Sequence, residues 1–93
     1  MTDQEAHQQI NANREEMKQH FKTLGFSHLC HISGDGKTEC YSNLEGMYVT
    51  VNTEKRTFEL SVIDGMIECK ITNLSFPNQH TPHLIKQLQR HIF

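Results

Sequence analysis

The side chains with the greatest chemical reach sit close together in the first half of the chain: His28, Cys30, His31 and Cys40. Zinc takes four nitrogen or sulfur ligands at tetrahedral positions. In an extended segment His28 and Cys30 alternate onto one face, and Cys40 can reach them across a hairpin. His31 then points the other way, and the paired C-x-x-C spacing of zinc ribbons is absent. The plainer reading makes Cys30 and Cys69 small buried hydrophobes and leaves the histidines at the border of a sheet. Nucleophilic catalysis by Cys40, with His28 or His31 as base, would need a lowered thiol pKa. Nothing in the sequence marks Cys40 in that way. The four residues still define one alternative function, a small metal- or redox-responsive protein.

Other motifs carry less. Gly36-Lys37-Thr38 has the ending of a phosphate-binding loop, but the first glycine of that motif is replaced by His31, and strands flank it on both sides. It reads as a charged hairpin turn. His80 and His83 bracket the start of a helix and read as solvated. Asn73-Leu74-Ser75 fits a glycosylation sequon that matters only on secretion.

The 93 residues allow one domain, and 35% hydrophobic content with no tryptophan means a small core. A formal charge of −2 gives no bulk attraction to nucleic acid. Acidic residues stop at Glu68, leaving a mildly basic C-terminal helix with His83, Lys86 and Arg90; this supports only a weak nucleic-acid-binding alternative. Three cysteines with no apolar leader or membrane-length run suggest reduced thiols and a cytoplasmic protein. No cofactor is implied.

The elements that must position these side chains centre on Met47 to Leu74. Asp64-Gly65 between alternating apolar runs predicts a hairpin with a two-residue type I′ loop. Ile63 then faces Met66, Val62 faces Ile67, Leu60 faces Cys69 and Phe58 faces Ile71. On the other face Glu59 meets Lys70 and Thr57 meets Thr72. The turn at Thr53-Glu54-Lys55-Arg56 places Val51 against Phe58, Val49 against Leu60 and Met47 against Val62. Both turns put the same apolar set inward, and a slip of one residue would expose it. Outward go Tyr48, Thr50, Asn52, Glu59, Ser61, Glu68, Lys70 and Thr72, so one side of the sheet is open to water.

Upstream, residues 2–24 form an amphipathic helix with Thr2 or Asp3 as cap, Gly25 as C-terminal stop and a polar, fraying start. Residues 26–33 are a strand with Phe26, His28, Cys30 and Ile32 on one face. Residues 37–43 return, with Cys30 opposite either Tyr41 or Cys40. Asn43 to Gly46 favours a bend or bulge over a true turn. Downstream, Thr81 caps a helix over 82–92 with Pro82 at its first position. Leu84, Ile85, Leu88 and Ile92 are its apolar stripe, and His91 sits favourably at its negative end.

The fold class expected is therefore α+β: a helix, a four- or five-stranded antiparallel meander (strands near 26–33, 37–43, 46–52, 57–63 and 66–74) and a second helix, with both helices on one sheet face. The function expected is non-enzymatic: an accessory protein that binds a protein partner, or a second copy of itself, through the open face. Tyr48, Ile63 and Met66 would be the apolar centre and Glu59, Glu68 and Lys70 the polar border.

Overall fold

The computed structural model describes residues 3–90. Thr2 as a cap, and the Ile92 and His91 end of the last helix, lie outside the described residues. The first helix, α1, spans Asp3–Thr23. Five strands follow: β1 (His28–Ile32), β2 (Thr38–Ser42), β3 (Met47–Asn52), β4 (Thr57–Asp64) and β5 (Ile67–Ser75). A second helix, α2 (Thr81–Gln89), closes the chain. The strands form one antiparallel sheet in sequential order, β1-β2-β3-β4-β5.

The inner face is built in rows that can be followed across the strands. One row runs Leu29, Tyr41, Val49, Leu60, Ile71; the next runs Ile32, Glu39, Val51, Phe58, Leu74. Met47, Val62 and Cys69 make a third. Against these rows pack Met17 and Phe21 from α1 and Ile85 and Leu88 from α2, so both helices cover the same face. Phe21 is the centre of an aromatic cluster, with edge-on contacts to Phe58 at 5.0 Å and Phe26 at 6.4 Å.

The end of α1 follows the sequence closely. Gly25 adopts φ 99°, the Phe26 N–H donates to the Phe21 carbonyl and the Gly25 N–H to that of Lys22. This is the Schellman arrangement, which needs a residue of positive φ just past the helix. Phe26 then turns into the core before β1 begins, instead of opening that strand. The polar start of α1 buries nothing before Asn13.

Four expectations are corrected. The β3–β4 register is as predicted, but β4–β5 is shifted by two: Val62 faces Cys69, Leu60 faces Ile71, and Lys70 faces Ser61 instead of Glu59. The loop residues are Gly65 and Met66, with Gly65 at φ 62°. Glycine at the first central position is the type II′ solution, which leaves Asp64 paired with Ile67. A shift by two keeps every side chain on its face. Further along, a bulge carrying Asn73 at φ 58° brings Leu74, not Ile71, opposite Phe58 and Ser75, not Thr72, opposite Thr57.

Asn43 to Gly46 is a true turn, because β2 and β3 are antiparallel neighbours. The Asn43 side-chain oxygen accepts from the N–H groups of Glu45 and Met47, which closes the turn locally. In the first hairpin neither predicted pairing of Cys30 holds. Leu29 faces Tyr41 and His31 faces Cys40, with Cys30 as the extra residue between them. Finally, α2 takes His80 as its N-cap, and the Thr81 hydroxyl turns back to donate to the Asn78 carbonyl at 2.7 Å.

Candidate functional site

The meander places its turns at two ends. The β2–β3 and β4–β5 turns share one, here the distal end; the β1–β2 and β3–β4 turns share the other, the proximal end. A backbone hydrogen bond from the Ile63 N–H, near the end of β4, to the Gly46 carbonyl (3.0 Å) ties the β2–β3 turn to the strand that leads into the β4–β5 turn.

Six large apolar side chains are exposed among the described residues, and four are distal: Leu44, Ile63, Met66 and Ile67. Met66 stands wholly in solvent at the tip of its hairpin, and Leu44 is 73% exposed. Leu44 also holds φ 63°. An apolar, non-glycine residue pays about 1–2 kcal/mol for that left-handed conformation. The Leu44 N–H donates to the Ser42 hydroxyl oxygen (2.8 Å), but its side chain joins no core. Glu45, Asp64 and Glu68 are exposed around these residues, with Lys70 behind them.

The predicted site residues divide as follows. Tyr48 is half-buried on the outer face opposite Ser61, as expected. Ile63 also lies outward, but it faces Glu68 and not Met66, because Met66 belongs to the turn. Glu59 lies a full row further toward the proximal end, facing Thr50, and lines a shallow polar groove with Thr38, Thr50, Asn52, Thr57 and Thr72. Leu44, Glu45 and Ile67 were not anticipated. The signal for Leu44 was present in Asn-Leu-Glu-Gly, once those residues are read as a turn and not as a bend.

The cysteine–histidine group lies elsewhere, at the β1 edge. His28 faces Ser42 and His31 faces Cys40, and both partners are on the outer face with Tyr48 and Thr50. The bulge thus brings His31 to the same face as Cys40, which simple alternation forbade. Cys30 is exposed, not buried as expected, and its thiol lies 3.7 Å from the His28 carbonyl. Cys40 and Cys69 are half-buried, on opposite faces of the sheet. Burial pushes the Cys40 thiol up; the Thr50 hydroxyl opposes this, and the adjacent Cys30 thiol adds to it. Among the described residues no three His, Cys, Asp or Glu side chains are placed to share a metal ion.

The proximal end is a polar lock. Asn13 donates to the Thr53 carbonyl (2.8 Å), and Thr53 donates through both its N–H (2.7 Å) and its hydroxyl (2.9 Å) to the Lys37 carbonyl. Arg14 forms an ion pair with buried Glu39 (2.9 Å) and donates to the Gly36 carbonyl (2.8 Å). Tyr41 donates its hydroxyl to the other Glu39 oxygen. Burial, and then that carboxylate, hold the Tyr41 hydroxyl well above its usual pKa of 10.0. Arg56 grips Glu16 with two hydrogen bonds (2.9 and 3.0 Å) and stacks over Phe76. The Gly36-Lys37-Thr38 segment belongs to this end as a hairpin turn, with Lys37 paired to Glu54 at 2.6 Å. The Asn13, Arg14 and Glu16 contacts hold α1, while the Thr53–Lys37 and Lys37–Glu54 contacts join the two turns to each other.

His80 and His83 stay apart. His80 caps α2, and the His83 ring contacts the Gln87 side chain at 3.1 Å. No helix among the described residues is long and apolar enough to cross a membrane. No family model matches the chain, and neither a curated protein nor a solved structure matches it.

Proposed function

We propose that this is a non-enzymatic binding protein that docks a protein partner through the distal end of its sheet. The observation that carries the reading is the grouping of Leu44, Ile63, Met66 and Ile67 in and beside the two distal turns, with Leu44 held at positive φ while exposed. Strain maintained at an exposed apolar residue is a motive for seeking a function there. Single exposed apolars are ordinary; a cluster bordered by charge is the anatomy of an interface. Tyr48 extends it on the outer face, with Glu68 and Lys70 at the border.

The border argues for the kind of partner. Glu45, Asp64 and Glu68 outnumber Lys70 around the apolar centre. A two-fold dimer through this surface would set those carboxylates against their own copies, an arrangement that costs affinity. The complementary surface is an apolar groove edged by Lys or Arg on a different protein. The sheet end, and not the middle of the open face, is the contact, so Glu59 lies outside it.

The test is a paired comparison. The chain carrying Ile63→Ser and Met66→Ser is expected to melt with the wild type, since neither side chain is in the core. It should lose proteins that the wild type captures, with a deficit of about 2 kcal/mol or more if these are hot spots. Glu45→Lys with Glu68→Lys should abolish the same captures and their salt sensitivity. Identical capture by all three chains would refute the reading and move attention to α2, with His83, Lys86 and Arg90.

A further inference from the structure

We propose that Cys30 and Cys40 form a reversible dithiol–disulfide site on the outer face of the β1 edge, which exchanges with small-molecule disulfides. The register carries this. Two residues of a bulged strand oppose one residue of its neighbour, and here Cys30 and His31 share Cys40. His31 is the Cα partner of Cys40, and the neighbouring Cys30 brings its thiol into direct hydrogen-bonding contact with the Cys40 thiol, so the two sulfurs lie close enough for a bond between them. Alternation from His28 and Leu29 puts Cys30 on the outer face with Cys40, and the bulge then adds His31 to that face.

The two thiols differ in a way that assigns roles. Cys30 lies on the outermost strand and is exposed; every residue of β1 is. Cys40 is one strand further in, half-buried between β1 and β3. Burial favours its protonated form, the Thr50 hydroxyl favours the thiolate, and the Cys30 thiol and the Glu59 carboxylate oppose it. Cys30 is therefore the sulfur that meets an incoming reagent, and Cys40 the one that resolves it. An accessible cysteine beside a resolving partner is the arrangement that reversible thiol chemistry uses.

The exchange balances without a metal or cofactor. The Cys30 sulfur, as thiolate, attacks one sulfur of a low-molecular-weight disulfide RSSR. A Cys30–SR mixed disulfide forms, and RS⁻ leaves and takes up the proton that Cys30 lost. Cys40 gives up its proton and attacks the Cys30 sulfur; the Cys30–Cys40 bond forms and a second RSH leaves. Two protein thiols are oxidised to one disulfide, and RSSR is reduced to two RSH. The closed form staples β1 to β2; excess RSH reverses it. Cys69 takes no part, because it faces the helices from β5, at the opposite edge of the sheet.

The experiment uses the full chain, reduced and desalted, then incubated with oxidised glutathione and read by intact mass and peptide mapping. The expected product has lost two hydrogens, carries a Cys30–Cys40 linkage and keeps Cys69 free. Cys40→Ser should stall with one glutathione on Cys30, and Cys69→Ser should behave as the wild type. The mapping of the unmutated chain needs no variant, so a poorly folding mutant does not blunt the test. Stable glutathione on Cys30 with no closure, or a linkage that includes Cys69, overturns the proposal. So does a Cys40→Ser chain that, with its melting curve intact, takes up no glutathione at all.

Discussion

The two ends of the sheet solve the same geometrical problem with opposite chemistry. Each has two hairpin turns, and each holds a non-glycine residue at positive φ, Arg56 at the proximal end and Leu44 at the distal. At the proximal end the strain is repaid. The Arg56 carbonyl accepts from the Phe76 N–H (2.8 Å), and its guanidinium joins Asn13 and Glu16. At the distal end the Leu44 N–H donates to the Ser42 hydroxyl oxygen (2.8 Å), but its side chain joins no core, and apolar side chains face water. One end is built to hold α1, and the other keeps an unsatisfied surface. That contrast is why the distal end, and not the proximal one, is read as the working surface.

The core between the ends sets the upper bound on any mutational effect. Leu60 is fully buried, between Val49 and Ile71 in the middle inner row. Leu60→Ala is expected to cost about 2–5 kcal/mol in denaturant melts, the range for a truncated buried leucine. In a domain this small that is a large fraction of total stability. A loss below about 1 kcal/mol would mean that the inner row is wrongly drawn, and both ends with it.

The proximal lock should come next. Arg14→Ala leaves the Glu39 carboxylate buried with Tyr41 as its remaining partner. Removing one member of a buried ion pair costs about 3–5 kcal/mol; because the Arg14 side chain is 30% exposed, about 2–3 kcal/mol is expected here. Replacing Glu39 and Arg14 together by Leu and Met should recover most of that loss, since an apolar pair carries no stranded charge. A double variant as unstable as the single would show that α1 is held by the network and not by Met17 and Phe21.

These two ends were unequally legible in the sequence. Period-two alternation exposed the inner and outer faces, and the β3–β4 pairing followed from arithmetic on the Thr53–Arg56 turn. The β4–β5 register slipped by two because Asp-Gly suggests a type I′ loop, while Gly-Met is an equally good type II′ loop. Alternation alone cannot see that difference. It also cannot see bulges, so it misplaced His31, Ile32 and Leu74. The lock was invisible for another reason. Asn13, Arg14, Thr53 and Glu39 are polar residues that burial statistics place outside. Only the tertiary approach of α1 to two turns makes their burial favourable. At the distal end Ile63 and Met66 were legible as exposed apolars, but Leu44 needed the β2–β3 turn to be recognised first.

The glycine test sharpens the comparison at about 1 kcal/mol. Leu44→Gly removes a side chain that contacts no core and relieves the left-handed backbone, so it should leave stability unchanged or raise it by up to about 1 kcal/mol. Arg56→Gly relieves the same strain but breaks the bonds to Asn13 and Glu16 and the contact with Phe76. It should lower stability. Opposite signs from the same substitution in thermal melts would establish that the side chain compensates the strain at one end only. If Leu44→Gly destabilises as much as Arg56→Gly, Leu44 has a structural role and the argument for a distal interface weakens.

The smallest effect expected is on the acid side, and it belongs to the proximal end. The Glu16 carboxyl is held below its usual 4.5 by the Arg56 guanidinium, and Asp35 below its usual 3.8 by the Ser33 hydroxyl and the Lys37 N–H. A carboxyl whose pKa is lowered by folding adds stability above its unfolded value. That contribution is lost as pH falls through the lowered folded pKa. The melting temperature should therefore drop below about pH 4.5 as the unfolded chain begins to bind these protons more readily than the folded one. Both groups are exposed, so the slope should be shallow and should flatten further in high salt. Glu16→Gln should remove the Glu16 share of the slope while leaving the distal captures intact. If the same variant also abolishes capture at neutral pH, the two ends are coupled through α1 and do not act independently.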